Sequence, residues 1–359
     1  MPNTAKTKSK DHQDFAHGLL AWYAVHAREM PWRTMPQDYA SGKRSNPYHV
    51  WLSEIMLQQT QVATVRDYFL KFINTWPTIE DLATTDLEDI LKAWAGLGYY
   101  SRARNLKKCA DIIVAEHGGA FPKTYESLIK LPGIGDYTAS AISSIAFDEA
   151  VPVIDGNVER VMARHARIKT TFPEAKAETR ERLIKILNRE KPGEFAQAMM
   201  DLGATICTPK NPVCSLCPIN EDCAGYKNGD ADTFPLKKAK AKKPKRTGAA
   251  FVIENGAGEI FLCKRPDTGL LASMTQIPTT DWNSRTDGAT GTEALPFSSN
   301  WQITGTARHV FTHFELELEV WKTYAEHVPG ESGWWCKKER LEDEALPTVM
   351  RKVLTRAFG

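Results

Sequence analysis

Leu131-Pro132-Gly133-Ile134-Gly135-Asp136-Tyr137-Thr138-Ala139, followed one helix and one loop later by Val153-Ile154-Asp155-Gly156-Asn157, decides how the larger part of this chain is read. Glycine at 133 and 135 permits the positive φ angles of a tight turn between two helices. It also leaves backbone N–H groups at the next helix start open to a phosphate. Asp155 is placed to open the following helix, with its carboxylate turned toward the same region. A plain helical hairpin with a capping aspartate would use the same residues. The order and spacing of the two segments favour a phosphate clamp joined to an acid.

Outward from that hairpin, apolar residues recur at three- and four-residue spacing from about residue 12 to 205, with breaks at Pro, Gly or Asn-Pro. This predicts an all-α region without strands. A long helix is expected from Asn46-Pro47 to about Trp76, with interruptions at Gly96-Leu97-Gly98 and Gly118-Gly119 and a new start at Pro192-Gly193. Lys237, Lys238, Lys240, Lys242, Lys243, Lys245 and Arg246 then stand together without an acid, as in a solvated linker or a segment that assists DNA binding. Beyond them the period changes to two. Ala250 to Glu254, the turn Asn255 to Gly258, and Ile260 to Lys264 read as a hairpin, and Phe314 to Val320 alternates cleanly. With an amphipathic helix near Pro347 to Phe358, this end reads as an α+β domain. The expected division is a disordered tail over 1–11, an all-α region over 12–236, a basic linker over 237–247 and the α+β domain over 248–359.

At 359 residues the chain has room for two or three domains, each able to bury its own core. A net charge of +2 removes a uniformly basic surface as an argument for nucleic acid. No apolar run is long enough for a membrane span, and the N-terminus lacks the apolar core of a secretory signal, so cytoplasmic residence is the expectation. Of the seven cysteines, Cys109, Cys263 and Cys336 are scattered, whereas Cys207, Cys214, Cys217 and Cys223 crowd one loop. That distribution suits a reduced compartment and a metal site better than a disulfide framework. Structural zinc favours two close cysteine pairs. Here only Cys214 and Cys217 are close, and the longer outer spacings favour a bulkier iron–sulfur cluster while leaving zinc open.

Together the Leu-Pro-Gly-Ile-Gly hairpin, Asp155 and the cysteine ladder resemble the helix-hairpin-helix DNA glycosylases of the endonuclease III superfamily, over about residues 22–226. Within that superfamily the chain is most similar to the MutY-type adenine DNA glycosylases. The similarity is carried by Met30-Pro-Trp-Arg33, the run from Val50 to Gln61, Gly96-Leu-Gly-Tyr-Tyr-Ser-Arg102 and Gln197-Ala-Met-Met-Asp-Leu-Gly203. The resemblance implies a six-helix domain and a [4Fe–4S] domain held by Cys207, Cys214, Cys217 and Cys223. It further implies double-stranded DNA lying across the cleft between them, and a monomer acting in the bacterial cytoplasm and nucleoid. The implied substrate is adenine mispaired with 8-oxoguanine, and with guanine.

Cleaving adenine from deoxyribose requires a proton for a poor leaving group and a negative charge near the developing sugar cation. The resemblance assigns the first role to Glu54 and the second to Asp155. Glu54 shares a helix face with Val50, Trp51 and Leu57, so desolvation should keep it protonated, although a solvated or ion-paired Glu is the commoner state of such a residue. Asp155, at a helix N-terminus, is suited to stay ionised and so to steady the cationic sugar. Superfamily members that also cut the strand carry a lysine at the position of Tyr137. A phenol cannot form a Schiff base, so a monofunctional, hydrolytic enzyme is expected, with Tyr137 and Asn157 hydrogen-bonding the catalytic carboxylate. By the same resemblance, Gly133 and Gly135 contact DNA, and Gln59, Thr60 and Tyr99 enter the duplex beside the opposing base. Trp32, Arg33 and Gln197 line the pocket of the flipped base.

The C-terminal region resembles the Nudix-related module that inspects 8-oxoguanine, without the metal-binding run of a Nudix hydrolase. Its matching element is Arg308 to Phe314, in which Phe311-Thr312-His313 stands where the family usually has Phe-Ser-His. Gly269 to Pro278 departs from the family's Trp-Glu-Phe-Pro ending. The alternatives are a thymine or uracil mismatch glycosylase, an endonuclease III-type lyase, and a non-catalytic iron–sulfur DNA-binding protein. Tyr137 argues against the lyase, and the pairing of Glu54 with Asp155 against the non-catalytic protein.

Overall fold

The computed structural model describes residues 4–236 and 242–359, with side chains from residue 14 onward. The chain forms two compact units, Met1–Thr84 with Asn105–Ala239, and Thr85–Arg104 with Lys240–Gly359.

The helices are α1 (Thr4–His26), α2 (Pro36–Ala40), α3 (Pro47–Leu57), α4 (Val62–Thr75), α5 (Ile79–Thr84), α6 (Leu87–Ala93) and α7 (Ser101–His117). They continue as α8 (Tyr125–Leu128), α9 (Asp136–Phe147), α10 (Gly156–His165), α11 (Lys176–Ile186), α12 (Pro192–Thr205) and α13 (Ala224–Lys227). Helix α1 begins inside the stretch read as a disordered tail, whose first three residues lie outside the described ones. Between residues 12 and 205 the described chain has no strand, as its periodicity predicts.

Helix α3 is the axis of the first unit. Asn46 caps it by accepting from the amides of Tyr48 and His49, and Pro47 occupies its first turn. Val50 through Met56 are all buried, the mark of a helix enclosed on every side. The single helix expected up to Trp76 is in fact two, because Gln58 to Gln61 interrupt it. No glycine or proline marks that break. Gln59 adopts φ of +60°, the left-handed region that ends a helix, and the Thr60 amide folds back onto the Leu57 carbonyl.

The hairpin before α9 uses its two glycines differently. Gly133 has φ of +76°, and a Cβ there would lie 2.7 Å from the Asn105 Cβ. Gly135, expected to need positive φ as well, is extended at φ −96° and caps α9. Open space lies where its side chain would be, so it leaves the helix start uncovered. Helix α9 packs against α3 and α12, and α10 against α12. Two glycines permit that closeness: a Cβ at Gly193 would meet the Ser144 carbonyl at 2.6 Å, and one at Gly203 would meet the Asn157 Cβ at 2.5 Å.

The second unit is built on a mixed sheet of β1 (Lys245–Glu254), β2 (Glu259–Lys264), β3 (Thr275–Gln276), β4 (Gln302–Val310), β5 (Glu315–Tyr324) and β6 (Gly333–Lys337). The strand order is β3-β2-β1-β5-β4, with β6 on β2. Strands β1 and β5 run parallel, and the other pairs are antiparallel. The hairpin predicted around Asn255 is formed by β1 and β2. Strand β1 begins at Lys245, so the end of the expected linker is strand, while residues 237–241 lie outside the described ones. Leu316, Leu318 and Val320 of β5 bury against Val349, Met350 and Val353 of α14 (Thr348–Phe358). An all-α region followed by an α+β unit is the fold class expected from the sequence.

Candidate active site

In the first unit, α3, the Gln58–Gln61 break, the segment after α1, the helix α9, the start of α10 and the middle and end of α12 enclose a cavity of about 540 Å³. That is within the usual size of a small-ligand site. Trp32, Arg33, Glu54, Gln59, Thr60, Tyr137, Asp155, Asn157 and Gln197, all predicted from sequence, line it together. Arg28 and Gln58 line it too and were not anticipated. A polar residue inside a helix-spaced run gives no sign of which way it points until the helix break is known.

Glu54 is only 7% exposed. Its Oε2 accepts a 2.7 Å hydrogen bond from the Tyr137 hydroxyl. Burial is the main force on its acidity, and Asp155 adds to it. Tyr137 and Arg33 oppose both, and the carboxyl is pushed up to about 7. Near neutral pH it therefore holds its proton in a substantial fraction of molecules.

Asp155 caps α10, its Oδ1 accepting from the Val158 amide at 2.7 Å and its Oδ2 from Asn157 Nδ2 at 2.8 Å. Tyr137 and Asn157 were expected to serve one carboxylate. Instead each serves its own, because Tyr137 in the first turn of α9 reaches across to α3, while Asn157 lies two residues after the cap, in the first turn of α10. Asn157 is held in turn by Arg160, whose Nη2 donates to Asn157 Oδ1 and to the Gly203 carbonyl, both at 2.7 Å. Arg160 Nε donates to the Cys207 carbonyl at 2.7 Å. The aspartate is thus tied through two side chains to the start of the cysteine loop.

Cys207, Cys214, Cys217 and Cys223 line one small cavity with Arg164, Ile206 and Tyr226. Arg164, 2% exposed, donates to Cys207 Sγ at 3.3 Å and to the Thr208 carbonyl at 2.7 Å. Four thiols around one apolar space, with a buried cation on one sulfur, fit a thiolate-bound anionic cluster. Among the described residues, no three potential ligands gather close enough to hold a single metal ion.

Comparison with known proteins agrees with this layout. Residues 52–189 match the model of the HhH-GPD superfamily of base excision DNA repair proteins. Residues 207–223 match the iron–sulfur binding domain of endonuclease III, and residues 249–356 a NUDIX domain. An adenine DNA glycosylase of Mus musculus is 34% identical, over 94% of this chain and 77% of its own. The chain belongs to the adenine DNA glycosylase family. Another member, from Buchnera aphidicola subsp. Schizaphis graminum, is 34% identical over 95% of this chain and 97% of its own. Among solved structures, a thermostable thymine-DNA glycosylase superposes with a TM-score of 0.54 at 27% identity, covering 61% of this chain and 98% of that one. The fold thus serves more than one base, and adenine specificity in the family has to come from side chains.

Other residues expected from membership of the adenine DNA glycosylase family lie outside the cavity. Gly133 and Gly135 sit at the hairpin before α9. Tyr99 belongs to the second unit, 46% exposed, with φ of +49°. Arg102 fixes its loop, donating to the carbonyls of Leu97 and Gly98 at 2.9 and 3.1 Å and lying over the Trp94 and Tyr99 rings. In the same unit Phe311, Thr312 and His313 form the turn between β4 and β5. Phe311 stacks on Phe314 at 4.7 Å, Thr312 and His313 are exposed, and Thr312 Oγ1 lies 2.9 Å from the Tyr99 hydroxyl. No described helix is long and apolar enough to cross a membrane.

Proposed function

We propose that this chain is a monofunctional adenine DNA glycosylase that flips adenine out of double-stranded DNA and hydrolyses its bond to deoxyribose, where the opposing base is 8-oxoguanine or guanine. The observation that carries this reading is a buried Glu54, held by Tyr137 and pushed up to about 7, in one cavity with the helix-capping Asp155. Glu54 gives its proton to a ring nitrogen of the base as the glycosidic electron pair departs with the base. Asp155 stabilises the cationic sugar. Water then adds to the sugar carbon and returns a proton to Glu54. Trp32, Arg33 and Gln197 seat the base, while Gln59, Thr60 and Tyr99 fill the stack that it leaves.

Monofunctional chemistry is supported by the phenol at 137 and by the lack of a lysine among the described cavity residues. Gly133 and Gly135 open the hairpin to a DNA phosphate. Phe311, Thr312 and His313 read the lesion, with the threonine hydroxyl doing the work of the usual serine. Cys207, Cys214, Cys217 and Cys223 would hold a [4Fe–4S] cluster, which ties the 207–223 loop into one rigid element when bound. The proposed domains are a glycosylase region over 12–236, a basic linker over 237–247 and a lesion-recognition domain over 248–359, acting as a monomer in the cytoplasm on nucleoid DNA.

Single-turnover cleavage of duplexes carrying A opposite 8-oxoG, A opposite G, T opposite G and U opposite G, each with and without alkali, tests the proposal. Adenine release on the first two, with strand breaks only after alkali, is the expected result. Release of T or U in preference to A, or strand breaks without alkali, would overturn it.

A further inference from the structure

Behind the cavity wall, α12 carries a carboxylate that is absent from the cavity lining. Asp201 is completely buried. Its oxygens accept from the Arg28 backbone amide at 3.0 Å and Nε at 2.7 Å, with Arg28 Nη2 also at 2.7 Å. They accept as well from Arg33 Nη1 at 2.5 Å and Nη2 at 3.1 Å. Arg33 Nη1 also reaches the Arg28 carbonyl at 3.2 Å, closing the unit. Both guanidinium groups therefore lean on one anion, and both arginines line the cavity that holds Glu54.

We propose that Asp201 is a positioning residue for excision: it fixes Arg28 and Arg33 in the cavity wall and offsets their charge, so that Glu54 keeps the proton it must deliver. The inference rests on the reading of Glu54 as the proton donor. Without Asp201, the unpaired charges of Arg33, whose side chain is 5% exposed, and of half-buried Arg28 would stabilise the ionised form of that carboxyl. The groups that face Glu54 are Tyr137 from α9, Asp155 from the start of α10 and Arg33 from the segment after α1. Arg33 is the cation among them that favours ionisation. From α12, Gln197 is neutral, and Asp201 acts through the arginines. Tyr23, kept neutral by burial, lies within the field of Arg33, Asp201, Glu194 and Arg28. With Asp201 in place the group Arg28, Arg33 and Asp201 carries one net positive charge, and without it two. Loss of that one negative charge should therefore acidify Glu54.

A buried ion pair that merely tied α12 to the segment after α1 would lose stability on mutation without moving the pH dependence of the reaction. Single-turnover excision of adenine opposite 8-oxoG by the full, cluster-loaded chain, from about pH 5.5 to about pH 9, separates the two. For Asp201→Asn, the alkaline fall in rate should begin about one pH unit lower than in wild type. The loss should be about tenfold above that point and much smaller at the acid end. Asp201→Glu should restore the limb. So should Arg33→Gln combined with Asp201→Asn, which removes one charge of each sign. Arg33→Gln alone should move the limb upward, which keeps the test open if Asp201→Asn does not fold. A limb unmoved in the folded variants, or moved upward by Asp201→Asn, would overturn the proposal. A wild-type profile with no alkaline limb would instead overturn the role of Glu54 on which it rests.

Discussion

The excision cavity and the β4–β5 turn are two ways of building a site from polar side chains. In the cavity the ionisable groups and their supports are held by one another: Glu54 by Tyr137, Asp155 by the Val158 amide and Asn157, Asn157 by Arg160, and Arg33 by Asp201. Burial raises the electrostatic stakes there, and a displaced partner leaves an uncompensated polar group. At the turn, Thr312 and His313 project into solvent from a two-phenylalanine base, and Thr312 shares a hydrogen bond with the Tyr99 hydroxyl. Water can replace what is lost there, so chemistry should be far more sensitive to the first site than recognition is to the second.

The contrast is sharpest at Glu54. Glu54→Gln keeps the shape and the Tyr137 contact but has no proton to give. Excision of adenine opposite 8-oxoG should fall by about 10²- to 10⁴-fold in single-turnover assays, while duplex affinity measured by anisotropy stays near wild type. Next is Gly203→Ala, which touches no reacting group. Its new methyl would strike the Asn157 Cβ at 2.5 Å and so displace the partner of Asp155. A rate loss of about 10- to 100-fold with retained duplex binding is expected, and a normal rate would show that the support of Asp155 tolerates movement. The smallest effect belongs to the turn. Thr312→Ala should lower the preference for 8-oxoG over G by about fivefold, the worth of one exposed hydrogen bond, with excision of A opposite G unchanged. An equal loss on both duplexes would show that the turn serves general binding and does not read the lesion.

Part of the cavity was legible in the chain through a local signature, Asp155 reading as a helix cap from its neighbours. Glu54 shares a face with Val50, Trp51 and Leu57, but its role, like those of Trp32, Arg33 and Gln197, was carried by the family resemblance. The change of period after residue 248 likewise marks the switch from helices to sheet. What stayed hidden is long-range or contrary to propensity. Nothing local announces that Gln58 to Gln61 leave the helix, because the interruption is a left-handed glutamine where a glycine would ordinarily signal it. The partner of Tyr137 is set by the approach of α9 to α3, across 83 residues of chain. Asp201 stands in a helix-spaced apolar run, where only the fold reveals two arginines 173 and 168 positions away. Gly135 illustrates the opposite error: glycine can be needed for what it leaves uncovered, with an ordinary backbone angle.

The central claim is that a buried, protonated Glu54 drives excision, and the pH dependence of the wild-type single-turnover rate on A opposite 8-oxoG tests it most directly. A carboxyl raised to about 7 is protonated below that pH and ionised above it, so the proton donor is lost as pH rises. The rate should be level on the acid side of about pH 7 and then fall about tenfold per pH unit, and the small residual rate of Glu54→Gln should show no such limb. A wild-type rate that stays level to about pH 9, or a limb that persists in Glu54→Gln, would contradict the account.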